Sequence, residues 1–224
     1  MDASGNIFLS FEGGTITKFS STLDSLFSYS PLKIADTKLL EAGTGLVIFA
    51  YYDFFQEYLL TDRFLTRPTR SKFPTSIGYI DIATQSLDNN IWMVESANFS
   101  LLKYNVQLLR VEIETLLNTV VESNNNSFTF IKEYQNQVFL VDENSGIYVF
   151  DNLGNFSKFI TAKTNKINFN NSHFLYVEGN ELIIRDIYTD SKEAITIVEQ
   201  DVIGVTKHKS NSYFIKLNTI IRVH

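Results

Sequence analysis

The chain has 224 residues, with 25 Asp and Glu against 19 Lys and Arg, a formal net charge of −6 at pH 7 and no cysteine. The missing cysteine excludes disulfides, thiolate nucleophiles and zinc–cysteine sites, and an acidic chain without a Lys/Arg-rich face points away from nucleic acid as a partner. Hydrophobic residues at 44% exclude wholesale disorder, and no stretch approaches the roughly 20 apolar residues of a membrane span.

The opening Met1-Asp2-Ala3-Ser4-Gly5-Asn6 has neither a basic nor an apolar leader segment, and a strand over 7–11 follows at once. The expected location is the periplasm or cell surface with a leader removed, the cytoplasm being the alternative. A recurrent phrase then begins: a turn residue, a short apolar strand, a polar turn, a second strand. It reads NIFLSFEGGTITKF at 6–19, less regularly LVIFAYYDFFQEYLL at 46–60, then NIWMVESANFSLLKY at 90–104. It returns as QVFLVDENSGIYVFDNLGNFSKFI at 137–160, HFLYVEGNELIIRD at 173–186 and SYFIKLNTIIRV at 212–223. First strands start near Ile7, Val47, Ile91, Val138, Phe174 and Tyr213, at intervals of 40, 44, 47, 36 and 39. A period near 40 with several strands per unit is that of a propeller blade.

The best-formed unit predicts four strands, at 128–132, 137–141, 146–150 and 156–160. Gly and Asn in its turns supply the positive φ of tight hairpins, and Ile147, Tyr148, Val149 and Phe150 make a strand apolar on both faces, as between packed sheets. The fold expected is an all-β propeller, with six short blades of three to four antiparallel strands and five as the alternative, in a single domain spanning 1–224. The first unit lacks an inner strand and the last an outer one. The segment 106–121 reads as an outer strand followed by a loop. Its apolar residues at 106, 109, 113, 116, 117 and 120 also fit an amphipathic helix.

The phrase at 138–160 resembles the repeat of NHL-type and related six-bladed propellers in exported proteins of Bacteroidetes. The D-x-x-G-N start at 2–6 and FQEYLLTDRFL at 55–65 are similar to an uncharacterised group of such proteins. The resemblance implies a fold and an exported location; it carries no catalytic residue.

Chemistry is sparse. The three histidines, His173, His208 and His224, have no metal-ligand spacing, no G-x-S-x-G elbow is present, and Glu12-Gly13-Gly14-Thr15 and Gly43-Thr44-Gly45 read as hairpin turns rather than phosphate loops. No cofactor or metal is expected. Glu41, Asp81, Asn168 and Asn170 on inner strands are candidates for a polar channel mouth, where oxygen ligands would suit calcium. The most distinctive cluster is Tyr51, Tyr52, Phe54, Phe55 and Tyr58, followed by Asp62 and Arg63. It is a candidate interaction patch, since aromatics with Arg serve interfaces and sugar sites. The alternative is packing between blades, with an Asp62–Arg63 ion pair. Trp92 reads as core, 124–127 as a solvated loop, and 67–72 as a small basic loop. The functional expectation is a non-enzymatic binding or scaffolding module, monomeric, docking a protein or carbohydrate. The alternative is a calcium-assisted hydrolase of lactonase type.

Overall fold

The computed structural model describes residues 1–43, 46–121, 125–217 and 219–223. Thr44 and Gly45 of one predicted turn, Asn124 of the predicted loop, and His224 lie outside the described residues. The strands form six antiparallel sheets. The first is β1 (Ile7–Ser10), β2 (Ile16–Phe19) and β3 (Ser25–Tyr29); the second is β4 (Leu39–Glu41), β5 (Val47–Tyr52), β6 (Glu57–Asp62) and β7 (Thr69–Lys72); the third is β8 (Ile80–Gln85), β9 (Ile91–Glu95), β10 (Ser100–Asn105) and β11 (Arg110–Leu116). The fourth is β12 (Phe128–Tyr134), β13 (Gln137–Asp142), β14 (Gly146–Asp151) and β15 (Phe156–Thr161); the fifth is β16 (Asn168–Asn170), β17 (His173–Glu178), β18 (Glu181–Asp186) and β19 (Lys192–Thr196); the sixth is β20 (Gly204–His208), β21 (Asn211–Ile215) and β22 (Ile220–Val223). In every sheet the strands lie in chain order, and the fold is a six-bladed β-propeller. The first and last blades have three strands each, as the phrase predicts. Five blades are not what forms.

The chain divides into two compact units, one of Met1–Asn124, Ile131–Phe139 and Val149–Lys158, the other of Asn125–Phe130, Leu140–Tyr148 and Phe159–His224. In the first, a core of Phe8, Ile16, Ala42, Ile48, Ala50, Tyr52, Leu59 and Leu65 is buried. In the second, Leu175, Leu182, Ile197 and Val205 form a smaller one. β14 is buried along both faces through Ile147 to Phe150, which fits its unbroken apolar run.

The first unit owes its regularity to one five-residue turn used repeatedly. Asp2 accepts the backbone N–H of Ser4 and Asn6 on Oδ1, both at 2.9 Å, and the Asn6 amide on Oδ2 at 2.8 Å. Asp151 does the same with Leu153 N at 2.9 Å, Asn155 N at 2.8 Å and the Asn155 amide at 2.9 Å. Asp62 repeats it with Phe64 N at 3.0 Å, Thr66 N at 2.9 Å and the Thr66 hydroxyl at 2.8 Å. Each turn needs one left-handed residue, at Gly5 (φ 86°), Gly154 (φ 83°) and Leu65 (φ 59°). A carboxylate that satisfies several turn N–H groups is an Asx turn closed on itself. In the 20–24 turn Ser20 stands in that place, its hydroxyl accepting Thr22 N and Asp24 N, each at 3.1 Å.

At 86–90 the turn again starts with a serine, and a buried carboxylate arrives from elsewhere. Glu133 on β12 accepts the Ser86 hydroxyl, Leu87 N at 3.3 Å and the Trp92 indole N–H at 2.9 Å. Trp92 is fully buried, as its place in the phrase predicts. The charge-assisted bond satisfies an indole N–H that would otherwise be stranded. Lysines also enter the core in register with rings: Lys18 opposite Phe8, its Nζ 5.3 Å from the ring centroid, and Lys103 opposite Trp92 at 5.3 Å.

Two predicted loops prove to be ordered. Thr69–Lys72 is the outer strand β7, paired with β6 so that Lys72 lies opposite Glu57. The buried Glu57 carboxylate holds Lys33 at 2.8 Å, Arg70 at 3.4 Å and Lys72 at 3.8 Å. Arg70 and Lys72 therefore sit on the edge strand beside a buried carboxylate, and Pro68 stands just ahead of the strand, where a missing N–H is tolerated. Asn126 and Ser127 are tied to the buried Asp142, by an amide at 3.0 Å and a backbone N–H at 2.9 Å. The helix alternative for 106–121 is not adopted. Asn105 accepts Gln107 N at 2.9 Å and Leu108 N at 2.8 Å, and Leu109 turns left-handed at φ 53°. β11 then pairs with β10, with one bulge, before a short 3₁₀ turn over Leu117–Thr119. Cross-strand pairing overrides the 3.6-residue rhythm.

Candidate functional site

The predicted aromatic cluster divides into a buried half and an exposed half. Tyr51 and Tyr52 alternate along β5, and Tyr58 on β6 lies opposite Tyr51; all three are buried. An exposed patch of five aromatics does not form, because β5 is an internal strand covered on both faces. The Tyr51 hydroxyl donates to Ile80 O at 2.6 Å and the Tyr52 hydroxyl to Gly14 O at 3.2 Å. Burial, and after it the Tyr79, Asp53 and Asp81 groups, push the Tyr51 phenol far above its usual range. Asp62 closes its own turn rather than pairing with Arg63, whose guanidinium lies 4.8 Å from the Phe64 ring centroid.

Phe54 is different. The sequence Asp53-Phe54-Phe55 makes a 3₁₀ turn between β5 and β6, closed by Gln56 in a left-handed conformation at φ 53°. Asp53 Oδ1 accepts the Phe54 N–H at 2.9 Å, and the turn lifts the Phe54 ring into solvent at 78% exposure, with Phe55 packed edge-on at 5.1 Å. Gln56 fastens the turn to the start of β8. Its amide donates to Ile80 O at 3.0 Å, to Asp53 O at 2.8 Å and to the Tyr51 hydroxyl at 2.9 Å, and its carbonyl accepts Ile80 N at 2.8 Å.

Two further segments reach the same end of β5. The connection 30–38 enters β4, with Lys38 N bonded to Tyr51 O at 2.9 Å. Asp36 in it accepts Gly13 N at 2.8 Å, and Gly14, at φ 82°, packs so close to Ala35 and the Tyr52 ring that a Cβ there would collide with both. The connection 73–79 enters β8 and ends on Tyr79. Together Ile34, Ala35, Asp36, Asp53, Phe54 and Tyr79 line an open cleft of about 450 Å³. Ile34 and Tyr79 are exposed at 79% and 51%. Of these, only Asp53 and Phe54 fall within the 51–63 stretch that the sequence singles out. Ile34, Asp36 and Tyr79 sit in the irregular connections between phrases, where no periodicity marks them. Pro74 and Gly78, the latter at φ 96°, are the local signals that the chain bends there.

The channel-mouth candidates are engaged by protein groups, Glu41 and Asn168 by partners in another blade and Asp81 within its own. Glu41 Oε1 accepts Lys132 Nζ at 2.6 Å and Gly43 N at 2.8 Å. Burial would raise its pKa, but the Lys132 ammonium outweighs that and holds the carboxyl below its ordinary value. Asp81 on β8 accepts the Ser96 hydroxyl at 2.7 Å. Asn168 donates to Val205 O at 2.6 Å, and Asn170 ends β16 opposite His173. His173 starts β17 and His208 ends β20. Among the described residues, no three His, Asp or Glu side chains stand together as a metal-ligand group, and no helix is long and apolar enough to cross a membrane.

No family model matches the chain, and no curated protein matches it either. Solved structures are similar in fold. A catalytically inactive virginiamycin B lyase from Staphylococcus aureus, solved with quinupristin, shares 13% identity at a TM-score of 0.64, over 100% of this chain and 83% of that one. A protein of unknown function from Bacteroides caccae shares 13% at 0.60, over 94% and 82%. The extracellular domain of a B. thetaiotaomicron protein described as a hybrid two component system shares 11% at 0.62, over 100% of this chain and 33% of that one. At such identities the likeness is one of architecture: the chain is similar to six-bladed β-propeller proteins, Bacteroides proteins among them.

Proposed function

We propose that the protein is a non-enzymatic, monomeric binding module that docks a protein or carbohydrate segment in the cleft framed by Ile34, Phe54 and Tyr79. The observation that carries this reading is the exposure of Phe54 and Ile34 on a turn and a connection that are otherwise fully tied down. Large apolar side chains carried on a tied-down backbone need little backbone ordering when a partner covers them, which favours their use as interface anchors. The hydrolase alternative would need free oxygen ligands, and Glu41 already carries a close ammonium partner. A periplasmic or surface location is supported by the resemblance to exported propellers and by the extracellular neighbour.

Arrays of peptides and of oligosaccharides, probed with the purified protein and with its Phe54→Ala/Tyr79→Ala variant, test the reading. The expected result is at least one ligand class retained by the wild type and lost by the variant, with unchanged thermal melting. Array binding indifferent to both substitutions would overturn it.

A further inference from the structure

The cleft is rich in acceptors and poor in donors. Asp36 and Asp53, which line it, and Asp81, on β8 and outside the lining, each spend one carboxylate oxygen on an internal donor, Gly13 N, Phe54 N and the Ser96 hydroxyl respectively. Among the described residues, none of the three has a Lys, Arg or His within ion-pairing distance. Several other carboxylates of the chain are ion-paired: Glu57 gathers three cations, Glu41 takes Lys132, and Asp88 takes Lys103 at 2.8 Å. Burial first, and then Asp53 and Asp81, push the Tyr79 phenol above its usual value, so both carboxylates bear on the ring that lines the cleft.

The rings supply the second half of the recognition. Phe54 and Tyr79 offer π surface beside unpaired negative charge, the combination that attracts a flat, weakly hydrated cation. The same chain already stacks cations this way inside its own blades, with Arg70 4.5 Å from the Tyr52 ring centroid and Lys33 5.4 Å from that of Phe55. A neutral sugar wants donors as well as acceptors, and the Tyr79 hydroxyl is the sole side-chain donor among the lining residues. An occupant that brings its own donors fits better.

Resting on the docking reading above, we infer that the cleft takes an arginine side chain from an extended segment of a partner protein. The guanidinium would stack on Phe54 and Tyr79 and donate to Asp36 and Asp53, which both line the cleft.

The test uses the whole chain and two peptides, acetyl-GRGRGRG-amide and the same peptide with citrulline for each arginine, titrated calorimetrically at about 20 mM and about 200 mM NaCl. Citrulline keeps the planar shape and part of the N–H donor set, puts a carbonyl oxygen in place of one amino group, and removes the charge. The expected result is binding of the arginine peptide alone, weakened by about tenfold or more in Asp36→Asn/Asp53→Asn and in Phe54→Ala, and weakened again by salt. Equal binding of the citrulline peptide, lost in Phe54→Ala, would overturn the arginine assignment while leaving the docking reading intact. Binding of the arginine peptide indifferent to both variants would mean general attraction to an acidic protein and would also overturn the assignment. No binding of either peptide at millimolar concentration would overturn it too, and the docking reading would then stand or fall on the arrays. Circular dichroism of each variant confirms that the fold is kept.

Discussion

The two turns that flank β6 in the second blade differ in what they do with their carboxylate. The turn at 62–66 spends Asp62 wholly on itself: two backbone N–H groups and one hydroxyl use both oxygens. The turn at 53–56 gives one oxygen of Asp53 to a single N–H and borrows its rigidity from Gln56 and Ile80. The first turn is a closed structural unit, and its hydrogen-bond pattern recurs around Asp2 and Asp151. The second leaves charge and an aromatic ring facing outward. In the docking proposal, the partner is met where the repeat's turn chemistry is not used up internally.

That contrast can be broken most severely at Glu133. Glu133→Ala strands the Ser86 hydroxyl, Leu87 N and the Trp92 indole inside the protein, and a loss of about 3 kcal/mol in urea unfolding is expected. Gly154→Ala comes next. Its φ of 83° disfavours any Cβ, which would also approach Ile113 Cγ2 and Thr115 Oγ1 to 2.8 Å, so about 2 kcal/mol should be lost. Asp151→Ala removes the self-closing carboxylate and should cost about 1 kcal/mol, as loss of a comparable cap does.

Acid sharpens the same comparison. For Asp62 the Thr66 N–H first, and for Asp151 the Asn155 amide and backbone N–H against the opposing effect of burial, hold the carboxyl below its ordinary value. A carboxyl depressed on folding stabilises the protein above its unfolded pKa and loses that contribution as pH falls through the folded one. The melting temperature should therefore be level near neutrality and fall below about pH 4, with a shallower acid limb in Asp151→Asn. The smallest effect on stability is expected at the other kind of turn: Phe54→Ala should move urea unfolding by under about 0.5 kcal/mol, while abolishing ligand capture.

The sequence made the blades legible because their strands start at a near-constant interval and two of the turns spell D-x-x-G-N. The same turn at 62–66 was hidden, since Leu65 rather than Gly takes the left-handed place. The 86–90 turn was hidden because its carboxylate, Glu133, lies in another phrase. The run at 51–58 drew attention for a sound reason, yet alternation along β5 sends Tyr51 and Tyr52 into packing, and only the residues in the turn escape. Ile34, Asp36 and Tyr79 were unreadable because what unites them is the hydrogen bonding that brings three separate connections to one end of β5.

The Asp151 turn has a practical consequence. Its staple is closed within five consecutive residues, as are those of Asp2 and Asp62. The hydrogen bonds that shape such a turn travel with those five residues. A propeller assembled from interchangeable corners leaves natural variation, or an engineer, free to rewrite the 30–38 and 73–79 connections for a new partner without redesigning the blades beneath them.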